Sequence, residues 1–211
     1  ICSFIASYLS IYQNIVKAKD LIISLIKNHN MNRAKSMGFN IQIAEDISGH
    51  KIVVLPCVIF KNKRNIDWLA VKNFLKRYVG EIVRIAETND IVYIGTLFPD
   101  EYKGSIYTRQ LKGSKAKAKA NAAQGIIKML EIATEKRFKK NQKEKHSGMA
   151  GNGWYYYTTR FAIPVYKNNM KTDLYNIYSA CLLINVTDSG RLYLYDLVDI
   201  KREASTPLTI S

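Results

Sequence analysis

Cysteine is scarce in this chain. Cys2, Cys57 and Cys181 are widely spaced, odd in number and form no C-x-x-C pair. That excludes a disulfide scaffold and a cysteine-built zinc site, and it suits a reducing, cytoplasmic site of action. Histidine is equally sparse, limited to His29, His50 and His146. There is no Walker loop, no G-x-G-x-x-G, no H-E-x-x-H and no triad signature, so neither cofactor nor metal is expected. No uncharged apolar run reaches 18 residues, so no membrane span is expected. Residues 1–12 are apolar but lack the basic n-region of a signal peptide. The first residue is Ile1 rather than Met, which leads us to expect a piece of a longer polypeptide.

Acidic residues are also few: 17 against 32 Lys and Arg, a net charge of +15. Such a field attracts polyanions, whether nucleic acid, anionic membrane or acidic protein. The charge is concentrated. Between Lys103 and Lys145 lie thirteen Lys or Arg and three acids, which supply +10 of the total. At 47% hydrophobic residues, the chain can still build a packed core.

Periodicity organises the rest. Apolar spacing predicts a helix over residues 3–28, then strands over 39–43 and 51–60 parted by Ser48-Gly49. Asp67 suits an N-cap for a short helix ending near Gly80. Residues 82–85 and 91–94 read as a hairpin around Thr88-Asn89-Asp90. Pro99, Gly104 and Gly113 mark 98–113 as loop. Ser114 is expected to cap a long helix to about Lys140, kinked at Gly125, with Ile126, Ile127, Leu130, Ala133 and Phe138 as its buried stripe. Strands over 154–166, 175–186 and 192–201 follow, with turns at Asn168-Asn169 and Asp188-Ser189-Gly190. The pattern predicts an α+β fold, with N-terminal helices packed on a C-terminal antiparallel sheet of about four strands. We divide it into an N-terminal helical and β region, 1–90, of unassigned role, and a basic domain, 91–211.

Candidate binding residues follow from charge. Lys115, Lys117 and Lys119 fall in the first turns of the long predicted helix, where cations oppose the macrodipole unless a phosphate docks there. Arg109, Lys143 and Lys145 extend the basic stretch, and Trp154 offers a stacking ring. On the strand that Trp154 begins, Tyr155, Tyr157, Phe161, Ile163 and Val165 share one face, expected to be the core. Tyr156, Thr158 and Arg160 share the other, where two hydroxyls and a guanidinium could hold a phosphodiester. His146 lies in a loop beside Lys143 and Lys145. Cationic neighbours lower a histidine's pKa, which suits it as a base near neutrality. With Arg160 and Thr158 it would suffice for metal-independent RNA cleavage, in which a base takes the 2′-OH proton and cations stabilise the phosphorane. Asp100 with Asp199 and Lys201 only loosely matches the carboxylate-and-lysine set of metal-dependent nucleases.

Several stretches together resemble a known family: Asp100 through Ser105, Ala116 through Ala122, Glu131 through Thr134, Trp154 through Pro164, and Leu192 through Leu208. They resemble C-terminal domains of phage and mobile-element polyvalent proteins, grouped with the barnase/EndoU/colicin/RelE-like ribonucleases. The resemblance covers a little over half the chain. It implies a metal-independent ribonuclease of the toxin or effector type, acting in the bacterial cytoplasm and held in check by an acidic immunity or antitoxin protein. Family active sites draw on His, Lys, Arg, Thr, Ser or Tyr, so Lys201 and Thr206 join His146, Arg160, Thr158 and Tyr156 as candidates. The alternative is a non-catalytic nucleic-acid-binding module.

Overall fold

The computed structural model describes residues 40–62, 64–140 and 153–208, together with Lys17. The predicted helix over 3–28, and with it His29, lies outside the described residues, as do Lys143, Lys145 and His146. Asn40–Ser211 forms one compact unit, described here by itself.

Eight strands build one sheet: β1 (Gln42–Glu45), β2 (Lys51–Val54), β3 (Ile82–Arg84), β4 (Ile91–Tyr93), β5 (Thr134–Lys139), β6 (Gly153–Lys167), β7 (Met170–Val186) and β8 (Leu192–Pro207). Five short helices accompany them among residues 40–208: α1 (Trp68–Leu75), α2 (Phe98–Gly104), α3 (Ile106–Gln110), α4 (Gly113–Ala122) and α5 (Ile126–Glu131). The strand order is β1-β2-β6-β7-β8-β4-β3, with β5 also paired to β6.

The expected fold class needs correction. The sheet has twice the expected strands, curls into a half-barrel and is mixed rather than antiparallel. β2 runs parallel to β6 through Val53↔Phe161 and Val54↔Ala162, and β4 runs parallel to β8 through Val92↔Leu192. Both junctions join residues about a hundred positions apart. A hydrophobic pattern shows that a strand exists but not which distant strand it meets. The helices of this unit interrupt the strand series in mid-chain instead of preceding it.

The three long strands form where expected, because alternating β-branched and aromatic residues suit a half-buried pleat. Asn168 and Asn169 connect β6 to β7 with φ of 51° and 62°, the left-handed pair that a two-residue hairpin turn requires. Asp67 caps α1 by accepting from the Ala70 amide at 2.9 Å. The 82–94 hairpin forms as β3 and β4.

Two expectations about the middle of the chain fail. Residues 98–113 carry α2 and α3, since Pro99 sits in a first turn, where its missing N–H costs nothing, and the Ser105 hydroxyl caps α3. The long helix to Lys140 breaks into α4, a 3-10 turn over Ala123–Gly125, and α5, then gives way to β5. Ser114 is not its cap; that position is Lys112, which makes no side-chain cap bond. Gly125 explains the break. A Cβ there would sit 2.9 Å from a Leu55 methyl and 3.0 Å from a Val53 methyl, so the chain turns where it presses on β2. Phe138, expected in the buried stripe, stands on β5, 55% exposed, with its ring 5.2 Å from that of Tyr155.

The predicted core face of β6 is largely correct. Tyr157, Phe161 and Ile163 are buried, and Phe161 stacks on Tyr178 at 5.3 Å. Ile126, Met129 and Leu130 of α5 are fully buried, and the Thr159 hydroxyl of β6 donates to the Met129 carbonyl at 3.1 Å. Each such large apolar side chain contributes about 1.5–3 kcal/mol through burial.

Candidate functional site: a basic cleft and its acidic counterpart

The three alternating lysines of α4 have three different fates. Lys115 is exposed, Lys117 half-buried and Lys119 fully buried. Lys119 donates from Nζ to Asp196 Oδ1 at 2.6 Å and to Thr108 Oγ1 at 2.5 Å. Ser105 donates to the other carboxylate oxygen of Asp196 at 2.7 Å, and Tyr102 donates to the Lys119 carbonyl at 2.6 Å. Burial pushes the Lys119 ammonium's pKa down and the Asp196 carboxyl's up, each opposed by the other's charge. Lys119 therefore ties α4 to α2, α3 and β8, and no phosphate can reach it. Of the other cations in the central stretch, Lys128 pairs with Glu131 at 2.6 Å and Lys136 with Asp90 at 2.8 Å.

Tyr156, Thr158 and Arg160 do share one face of β6, each half-buried. What surrounds Arg160 was not legible. β5 pairs with β6 up to Thr158, and β2 pairs with it from Phe161 on, so the two strands share one edge of β6 and leave a notch at Thr159 and Arg160. This notch is a cleft of about 620 Å³ carrying the carboxylates Asp46, Glu87, Glu135 and Glu203. Arg160 donates from Nη1 to Asp46 at 2.5 Å, and from Nε and Nη2 to Glu203 at 3.0 and 2.6 Å. Thr158 donates to Glu135 at 2.8 Å. The guanidinium is thus neutralised twice over, and an incoming phosphate would meet more acid than base.

Asp46 also accepts from the Ser48 and His50 amides, both at 2.9 Å, closing the β1–β2 turn. Its bond from Arg160, then that from the His50 amide, holds its carboxyl far below the ordinary value of 3.8. A depressed folded-state pKa contributes stability that is complete above the unfolded value and is lost as pH falls toward the folded one. Thermal melts should therefore show the wild type losing stability below about pH 4 more steeply than Asp46→Asn. Parallel curves for the two proteins would mean that the Asp46–Arg160 pair does not persist in solution.

The remaining sequence candidates are scattered. Lys201 pairs across β7 residue Ser179 with Arg160, two strand spacings or about 10 Å away. It lines a smaller recess of about 230 Å³ with Tyr107, Lys115 and Asp199. Burial, then Tyr107, pushes the Tyr156 hydroxyl up to about 12, so Tyr156 stays protonated near neutrality. Thr206 pairs with Tyr175 near the far end of β8. Trp154 packs edge-on against Tyr195, ring centroids 4.9 Å apart. Arg109 is exposed on α3. Among the described residues no group of three or more His, Cys, Asp or Glu is placed to hold a metal ion. No helix among them is long and apolar enough to cross a membrane.

A second large cleft, of about 630 Å³, lies between α4, the segment after β2 and the β6–β7 hairpin. Its cations are Lys61, Lys117 and Arg202, and among the described residues its lining includes no carboxylate. Tyr166 and the largely buried Tyr178 also line it, as do Ser114, Asn169 and Asn176, which carry hydrogen-bonding groups. Arg202 donates to Asn176 Oδ1 at 2.7 Å, which leaves its guanidinium charge unneutralised by that bond. Only Lys117 of this set was legible as a binding residue. Lys61 and Arg202 stand far apart in sequence, and only the parallel β2–β6 junction and the β7–β8 pairing draw them together.

No family model, curated protein or solved structure matches this chain.

Proposed function

We propose that this protein is a nucleic-acid-binding module that takes a phosphodiester chain into the cleft of Lys61, Lys117 and Arg202. The observation that carries this reading is the sign of the lining. Two clefts of similar size differ in charge: among the described residues, the notch around Arg160 carries four carboxylates against Arg160 and Lys51, and this one carries three cations and no carboxylate. Phosphate contacts supply most of the sequence-independent affinity of nucleic-acid binders. The rings and amides beside those cations suit nucleobases better than the side chains of an acidic protein partner. Because Arg160 and Thr158 are engaged by carboxylates, binding accounts for more of the described surface than phosphodiester cleavage does.

Cys57 lines this cleft, whereas Cys181 lies opposite Thr158 on the β6–β7 ladder. Burial pushes both thiols up, so modification is best followed in mildly alkaline buffer. A saturating oligonucleotide should slow maleimide modification of Cys57, read by peptide mass mapping, and leave Cys181 unchanged. Unaltered labelling of Cys57 with oligonucleotide bound would move the binding surface elsewhere.

A further inference from the structure

We infer that the ligand of this cleft is single-stranded nucleic acid, with one base stacked on Tyr166; this rests on the binding reading above. Tyr166 is 42% exposed at the end of the β6–β7 hairpin. Other tyrosines nearby already have partners: Tyr178 lies on Phe161, and Tyr175 receives the Lys171 ammonium at 5.3 Å. Among the described residues Tyr166 has no ring or cation on its face, yet it lines the cleft.

The strand register explains how the ring comes to be there. β6 pairs regularly with β7 up to Pro164↔Tyr175, breaks register, and resumes at Tyr166↔Lys171. Such a break twists the end of a hairpin away from the plane of its strands and re-aims the side chains beyond it. The Thr172 hydroxyl fixes the break by donating to the Val165 carbonyl at 3.0 Å.

The cations lie at different depths. Lys61 and Arg202 are exposed, while Lys117 is half-buried beside buried Ala118. A duplex keeps its bases stacked inside and presents phosphates on a convex surface, so it can meet the cations but offers no unstacked base to the ring. A single strand can place a phosphate among the cations and turn an unstacked base onto the tyrosine. Asn169 and Asn176 then stand where a base edge can be hydrogen-bonded. Because every base has a π-face, this arrangement tolerates many sequences.

Fluorescence anisotropy with a labelled 12-nucleotide strand and its duplex, at one salt concentration, tests the inference in the full chain. The wild type should prefer the single strand. Tyr166→Ala should weaken single-strand binding by about 5- to 150-fold and leave duplex binding unchanged. Tyr166→Phe, which keeps the ring, should stay within about twofold of wild type. Equal losses on both ligands, or none, in Tyr166→Ala would overturn the single-strand inference while Lys117→Gln and Arg202→Gln still weaken binding. If those two variants also bind like wild type, the cleft reading itself falls.

Discussion

Lys119→Ala should destabilise the protein by about 3–5 kcal/mol, because it leaves the Asp196 carboxylate charged and unpaired in the interior. Asp196→Ala should cost as much by orphaning the ammonium. Total stabilities run at about 5–15 kcal/mol, so either change could empty much of the folded population. The pair is fully enclosed, and two hydroxyls, of Ser105 and Thr108, and the Leu197 amide add to its hydrogen bonding. A double variant, Lys119→Met with Asp196→Leu, should recover part of the loss, since no charge remains to be solvated, but those hydroxyls then lose partners. Urea midpoints of the four proteins measure the two losses and the recovery. A Lys119→Ala protein as stable as wild type would mean that the side chain is not enclosed as described.

The second large effect concerns binding. Replacing Lys61, Lys117 and Arg202 together by Gln should flatten the dependence of log K on log salt by about two units, since each phosphate contact on a single strand contributes about 0.7. At 0.1 M salt the same three contacts amount to about a hundredfold in affinity. Lys115→Gln with Arg109→Gln is the control, because both residues are exposed outside the cleft. If the control flattens the slope as much as the triple variant does, affinity comes from diffuse charge and the cleft has no special role.

That contrast shows what could be read from the chain and what could not. Lys115, Lys117 and Lys119 look alike in a row of alternating Ala and Lys. A helix places residues two apart at very different angles, and only the packing of α2, α3 and β8 decides which one is enclosed. The long strands were legible because each carries its own alternation and turn, Asn168-Asn169 being the clearest. β5 was not. Thr134–Lys139 follows a helix and carries charges that suit helix or strand alike, and it becomes a strand because β6 offers it an edge. Arg160 was found on the correct face and given the wrong neighbours, since Asp46 and Glu203 lie 114 and 43 positions away. Cleft residues such as Lys61 and Tyr166 carried no local signal; a lysine after a strand and a tyrosine before a turn are unremarkable until the parallel junction and the hairpin twist bring them together.

The shared edge of β6 bears on self-association. Strands of 15, 17 and 16 residues would be ready templates for pairing with another chain if any lay at the rim of the sheet. None is the terminal strand of the sheet. β7 is flanked along its length by β6 and β8. The outer edge of β6 is covered in part from two directions, by β5 from Trp154 to Thr158 and by β2 at Phe161 and Ala162, and β4 covers the start of β8 at Leu192 and Tyr193. Among the described residues the terminal strands are β1, four residues long, β3, three residues long, and β5, which carries Glu135, Lys136, Arg137 and Lys139 and is bent by Glu135 at φ 54°. A short rim offers a neighbour few hydrogen bonds, and a charged, bulged one offers them in the wrong geometry. At those ends the aromatic-rich sheet is thereby kept from growing by accretion of further copies.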